Sequence, residues 1–301
     1  MKSMRIPLLI ALGVAIIGIV LGSFFDLSIS KAIASSSNGF ALTISAIGPT
    51  IGFAAVAAMG GGFVRLALHG KYHVALKVLF YVLAAACLGV AIYYPAGEYF
   101  GVNGFYGAAP EWVGYLIVII PECAAMVGGY FLFKDCENHN MWIVFCVVIV
   151  ILTLVLVAII TGLKGIMHRP RYRFLFDVAH DESLFHNWWQ PCKEYKDYIE
   201  FFHTSSDNFK SYPSGHTAEA SILLVTVVFL PLANKKFEKY QLLLFLCASG
   251  LILIVALARI LAAAHFLSDV SFGAFFMIFL TTIANEVVMR IKALQIPEEA
   301  K

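Results

Sequence analysis

The sequence predicts an all-α protein, a polytopic transmembrane helical bundle of about eight spans. Three observations carry that expectation. Of 301 residues, 60% are apolar and only 13% charged, where a soluble domain is nearer half apolar and a quarter charged. Mean hydropathy is +0.84. The apolar residues also fall into stretches close to the roughly 20 residues that cross a bilayer. Lipid offers no partner to the backbone of an isolated strand, so each stretch reads as a helix.

The stretches are residues 6–25, 43–66, 74–95, 112–133, 141–163, 216–233, 241–262 and 267–289. Lys2 and Arg5 precede the first, as in a signal peptide. Its length, and the lack of a small-x-small cleavage site before Asp26, mark it as a retained anchor. Gly18-x3-Gly22 within it fits a close helix contact. Asp26–Gly39 is too polar to span and is expected to lie along the outer surface. In the fourth stretch Glu122 follows Pro121, either as a functional intramembrane acid or as a hydrogen-bonded packing group. The six cysteines have no paired spacing, which argues against a disulfide framework or a zinc site. The expected organisation is one membrane domain over 1–301, with additional N-terminal spans in 1–110 and a core in 112–292.

Basic residues collect on the cytoplasmic side of membrane proteins. With the N-terminus inside, the inner segments hold Lys2 and Arg5; Arg65 and Lys71; Lys134; Lys235, Lys236 and Lys239; and Arg290 and Lys292. The outer loop 26–42 has only Lys31, and 96–111 has Glu98 and Glu111 with no basic residue. The exception is the outer loop 164–213, with Lys164, Arg169, Arg171, Arg173, Lys193, Lys196 and Lys210. Binding an anion accounts for so many cations there. Nothing in 164–213 can cross a bilayer, so Lys164, Arg171 and Ser214 share one face. The two spans after His216 return the chain to that face at His265. The expected location is a multi-pass position in the plasma (inner) membrane, with the motifs facing the periplasm or cell exterior.

Arg259-x5-His265-x3-Asp269 is the strongest chemical signal. Positions four apart on a helix face the same way, so Asp269 is expected to accept a hydrogen bond from one imidazole nitrogen of His265. That bond would leave the other nitrogen unprotonated, as a nucleophile. Arg259 offers a planar fork to phosphate oxygens. Pro213-Ser214-Gly215-His216 opens the sixth span. Ser214 suits an N-cap, Gly215 allows close backbone approach to an anion, and His216 can protonate a leaving alcohol. Taken alone, each segment also reads as an ordinary helix end. Lys164 and Arg171, just after the fifth span, supply a point charge and a bidentate donor, or else contact lipid headgroups.

Together these segments resemble the three motifs of the type 2 phosphatidic acid phosphatase superfamily. Its second and third motifs, P-S-G-H and S-R-x5-H-x3-D, match at Pro213–His216 and Arg259–Asp269, with Ala258 in place of the serine. Its first, K-x6-R-P, is met by Lys164 and Arg171, with Tyr172 in place of proline. A second register ends on Arg169-Pro170 and puts Gly162 where lysine belongs. The resemblance covers about residues 160–270 with flanking helices, and the first 110 residues add little to it. It implies that His265 attacks phosphorus, that Asp269 orients it, and that His216 protonates the leaving group and then activates water. Lys164, Arg171, Arg259, Ser214 and the Gly215 amide would bind the phosphoryl oxygens. No metal and no cofactor is expected.

The implied function is metal-independent hydrolysis of a lipid phosphate or pyrophosphate at the outer face through a phosphohistidine. The expected partners are a phosphorylated lipid and the bilayer, with no nucleic acid. A lipid phosphotransferase or a soluble-phosphomonoester phosphatase of the same superfamily is the alternative. An inactive transporter or scaffold is the reading from a different class. His180, Asp181, His186, Cys192 and His203 in the outer loop match no common zinc spacing, so the loop reads as solvated or lid-forming. Its aromatics, Phe174, Phe176, Phe185, Trp188, Trp189, Tyr195, Tyr198, Phe201 and Phe202, suit a membrane-interface belt.

Overall fold

The computed structural model describes residues 4–100, 111–135 and 139–291. Among these residues there are ten α-helices and no strand. They are α1 (Arg5–Ile33), α2 (Gly39–His69), α3 (Val74–Phe100), α4 (Glu111–Leu132), α5 (His139–Met167), α6 (Tyr195–Phe201), α7 (Gly215–Ala220), α8 (Ile222–Ala233), α9 (Gln241–Leu261) and α10 (Leu267–Arg290). Eight helical stretches are long and apolar enough to cross a membrane, with α7 and α8 together making the sixth. The eight expected spans are therefore present. The segment 101–110 and Lys292 lie outside the described residues, as does Cys136.

The α7–α8 stretch is by far the most enclosed of the eight. It is surrounded by α2, α5, α9 and α10, while α1 packs along α10 and α3 and α4 pack on α2. The remaining spans show broad apolar faces outward, including Leu154 on α5, Leu243 and Leu253 on α9, and Ile10 and Ile17 on α1. Such surface is at home in lipid and would be a liability in water.

Small residues set the closest approaches. A β-carbon at Gly52 of α2 would run into the carbonyl of Glu219, and one at Gly273 of α10 would lie 2.5 Å from the carbonyl of Ser214. The short helix α7 is thus gripped between two backbones. On α1, Gly18 faces the Ser271 hydroxyl and Gly22 faces the backbone nitrogen of Ser268. The expected close contact at Gly18-x3-Gly22 is therefore made, and its partner is α10.

The structure corrects the expectation for Asp26–Gly39. α1 continues to Ile33, with Asp26 and Ser30 buried. The polar residues do not seek water because Asp26 meets a cation inside the protein, Arg169, 2.9 Å away. Beyond the helix, the Ser35 N–H donates to the Leu261 carbonyl at 2.7 Å, tying the segment to the end of α9.

Gly52→Ala is expected to cost about 1–3 kcal/mol through overpacking against α7. The measurement is the thermal midpoint of purified protein in detergent, and an unchanged midpoint would contradict the tight α2–α7 contact.

Candidate active site

The third motif is shaped by a tight turn between α9 and α10. The carbonyl of Arg259 accepts the N–H groups of both Ala264 and His265, each at 3.2 Å. Ala263 makes this possible by adopting the left-handed region at φ 54°, a conformation that costs a non-glycine residue about 1–3 kcal/mol. The spacing of Arg259 and His265 is therefore fixed by the backbone itself. Past the turn, Phe266 N–H donates to Oδ2 of Asp269 at 2.9 Å and starts α10.

The expected hydrogen bond between His265 and Asp269 is not made. Their closest nitrogen and oxygen are 4.0 Å apart. Instead Nδ1 of His265 lies 2.6 Å from the backbone carbonyl of Ser211. A carbonyl only accepts, so Nδ1 carries the proton. Asp269 is committed elsewhere: Oδ2 takes the Phe266 N–H and the Ser211 hydroxyl at 2.6 Å, and Oδ1 takes Arg169 at 2.6 Å. Its influence on His265 runs through Ser211. Nε2 of His265 is buried with no hydrogen-bond partner among the described residues, which leaves its lone pair available.

The second motif is fastened to the third, since Ser214 N–H donates to the Asp269 carbonyl at 3.0 Å. Ser214 caps α7 as expected, its hydroxyl accepting from Thr217 N–H at 3.4 Å. One turn past His216 the helix breaks at Ser221, whose hydroxyl donates to the Thr217 carbonyl at 2.7 Å. Lys164 arrives from the end of α5, and its Nζ stands 3.2 Å from where a Gly215 β-carbon would be. A side chain at 215 would press on that ammonium.

Arg171 is anchored by its N–H to the Asn208 carbonyl at 2.8 Å and by Nη2 to Asp207 at 3.0 Å. Its Nε is buried with no hydrogen-bond partner among the described residues. Asp207 also binds Arg173 at 2.6 Å. Burial pushes the Asp207 carboxyl up, but the neighbouring Arg171 and Arg173 outweigh it and hold the group below its ordinary range. Burial, then the charge of Arg171, brings the Arg173 guanidinium down to about 10.

The charges converge on His265. Burial first, then Arg259, Arg171, Lys164 and His216, hold its imidazole well below the ordinary value of 6.5. All three motifs thus meet at one end of the bundle. The register with Lys164 and Arg171 is the one in which both cations reach this site, while Gly162 faces open space. Arg169 has another task. Fully buried, it binds Asp269, Ser268 and Asp26 at 2.6, 2.9 and 2.9 Å. Sequence reasoning missed Ser211, Asp207 and Asp26. Ser211 reaches His265 through its backbone carbonyl, which leaves no residue signature, and Asp26 pairs with a cation far along the chain.

The loop between α5 and α7 is not a loosely solvated cover. It has its own core of Tyr172, Phe174, Leu175, Cys192 and Phe209, packed on Ala263 and Phe266 of the turn. Phe174 is therefore interior rather than part of an interface belt, whereas Phe176, Trp189 and Phe201 are exposed. The loop also gathers His186, Cys192 and Glu194, with ligand atoms within 4.8 Å of one another, a grouping their spacing did not announce. Glu122 is fully buried in α4, and neither carboxyl oxygen has a hydrogen-bond partner among the described residues.

His265 should be neutral with its proton on Nδ1 at pH 6.5 and below, until pH falls through its depressed value. As an imidazole kept neutral by burial, it contributes stability above pH 6.5 that is lost as acid forces it to charge. Nitrogen NMR of histidine-labelled protein checks this, and an imidazolium signal for His265 at pH 6.5 would contradict it.

The comparison with protein-family models gives one finding. A model described as the PAP2 superfamily matches residues 142–292. Comparisons with curated proteins and with solved structures give no match. The matched segment, half of the chain, holds Lys164, Arg171, the Pro213–His216 cap and the whole Arg259–Asp269 turn, and on that ground the chain belongs to the PAP2 superfamily.

Proposed function

We propose that the protein hydrolyses a lipid phosphate or pyrophosphate monoester, at the outer membrane face, through a phosphohistidine and with no metal. Membership of the superfamily supports phosphatase activity on phosphate esters. The observation that carries the finer reading is the buried Nε2 of His265, without a hydrogen-bond partner among the described residues, in the field of Lys164, Arg171, Arg259 and His216. An imidazole kept neutral by burial first, and then by surrounding cations, is a nucleophile poised against an anion.

In the first step Nε2 of His265 attacks phosphorus and the P–O bond to the lipid breaks. Nδ1–H stays on the imidazole and donates to Ser211, which offsets the positive charge gained by the ring. His216 gives its proton to the departing oxygen. In the second step His216 takes a proton from water, whose oxygen attacks phosphorus and breaks the N–P bond, releasing phosphate and restoring His265. Lys164, Arg171, Arg259, the Ser214 hydroxyl and the Gly215 amide hold the phosphoryl oxygens. Fixed donors of this kind stabilise charge as it develops, often the largest contribution to catalysis.

The lipid class is favoured by the setting. The site lies at one end of a bundle whose flanks are apolar. Beside it a file of rings runs from Trp188 and Tyr212 to Phe272, and on along α10 through Phe275, Phe276 and Phe279. That file can take an acyl or isoprenoid chain while the cations take the headgroup. Transfer of the phosphoryl group to a second lipid instead of water uses the same first step.

Purified protein with a panel of lipid phosphates and EDTA present provides the test. Activity is expected to survive chelation and to fall beyond detection in His265→Ala, with phosphate release retained in that variant counting against the covalent route. His216→Ala should slow release by about 10²–10⁴-fold, and a rate near wild type would remove His216 as the proton donor.

A further inference from the structure

We infer that Asp26, on the first helix, is a positioning residue of the active site, acting on the nucleophile His265 through Arg169, Asp269 and Ser211. The inference rests on the phosphatase reading above and adds a residue outside the segment that matches the family.

The contacts form an unbroken line. Asp26 Oδ1 accepts the N–H of Ser268 at 2.9 Å, and Oδ2 accepts from the Ser268 hydroxyl and from Arg169 Nη2, the latter at 2.9 Å. The other Arg169 amine donates to Asp269 Oδ1 at 2.6 Å and to the Ser268 hydroxyl at 2.9 Å. Asp269 Oδ2 then holds the Ser211 hydroxyl at 2.6 Å, and the Ser211 carbonyl holds Nδ1 of His265 at 2.6 Å. Arg169 is immobilised on its remaining sides, with Nε on the His186 carbonyl at 2.8 Å and its carbon 4.4 Å from the Phe266 ring centre.

Two features make Asp26 more than a structural counter-ion. Asp26, Arg169 and Asp269 are all buried to within 2% of completely, so the geometry of one sets that of the next. A guanidinium presents a fork that grips a carboxylate with two N–H groups. Here Asp26 occupies one arm, and Asp269 receives a single amine and keeps Oδ2 for Ser211. With Asp26 uncharged, Nη2 of Arg169 loses its charged partner, and the attraction left on Asp269 draws that carboxylate from Ser211 and loosens the carbonyl that orients His265.

None of these atoms belongs to a group assigned to phosphate binding. The expected effect is therefore on turnover. In the lipid phosphate assay, Asp26→Asn should lower kcat by about tenfold to a hundredfold, the scale of an ångström-sized misplacement. KM should stay within about threefold of wild type. Ser211→Ala breaks the same line further on, so combining it with Asp26→Asn should lower kcat by much less than the product of the single effects.

A purely structural ion pair gives a different pattern, with loss of folded protein but wild-type kcat per folded molecule and independent effects in the double variant. Either result overturns the inference. If Asp26→Asn does not fold, Ser268→Ala, which removes one hydroxyl and no charge, carries the test. It should lower kcat by about threefold to tenfold, and unchanged kcat overturns the inference. A wild-type protein inactive on every lipid phosphate counts against the phosphatase reading itself. Active wild type with an unaffected Asp26→Asn counts against the role of Asp26 alone.

Discussion

Arg169 is a cation sealed from water, and the motif-bearing end of the bundle is organised around satisfying it. Removing one partner from a buried charge cluster typically costs about 3–5 kcal/mol, so the partners are held firmly. They come from three distant parts of the chain: Asp26 on α1, the His186 carbonyl in the loop before α7, and Asp269 on α10. Other contacts repeat the pattern. Trp188 donates to Ser23 at 2.9 Å, and Lys31 pairs with Glu182. The first helix thus does for the site what the superfamily motifs alone do not: it secures their supporting layer.

The site keeps its charges in separate groups. Asp26 and Asp269 share Arg169. Cations stand around the imidazole, and Asp207 steers two of the arginines, Arg171 and Arg173, from the side. The arrangement suits an anion that must be bound strongly while it is attacked by a neutral base. It also explains why the loop between α5 and α7 is packed rather than mobile in character: it carries Arg169, Arg171 and Asp207, whose placement depends on the aromatic core beneath them.

Much of this was legible in the sequence. The spans were readable because lipid permits so few backbone arrangements, and the three motifs because phosphate chemistry restricts residue type and spacing together. Alternation of the spans then brought Lys164, His216 and His265 to one face without reference to coordinates. What escaped has a common cause. Spacing indicated that Asp269 and His265 face the same way, but not that Asp269 is already engaged by Phe266, Ser211 and Arg169. Asp26 read as a surface acid because its cation lies 143 residues away. A polar residue near a span end is ambiguous until its partner is known, and partners that distant leave no local trace.

The grip of α1 on α10 has a temporal side. Asp26 meets Ser268 across 242 residues of chain, so a helix synthesised early is paired with one synthesised much later. Arg169 gains Ser268 and Asp269 only once α10 is made, and the hydrogen bonds that reach His265 through Ser211 wait on that same helix.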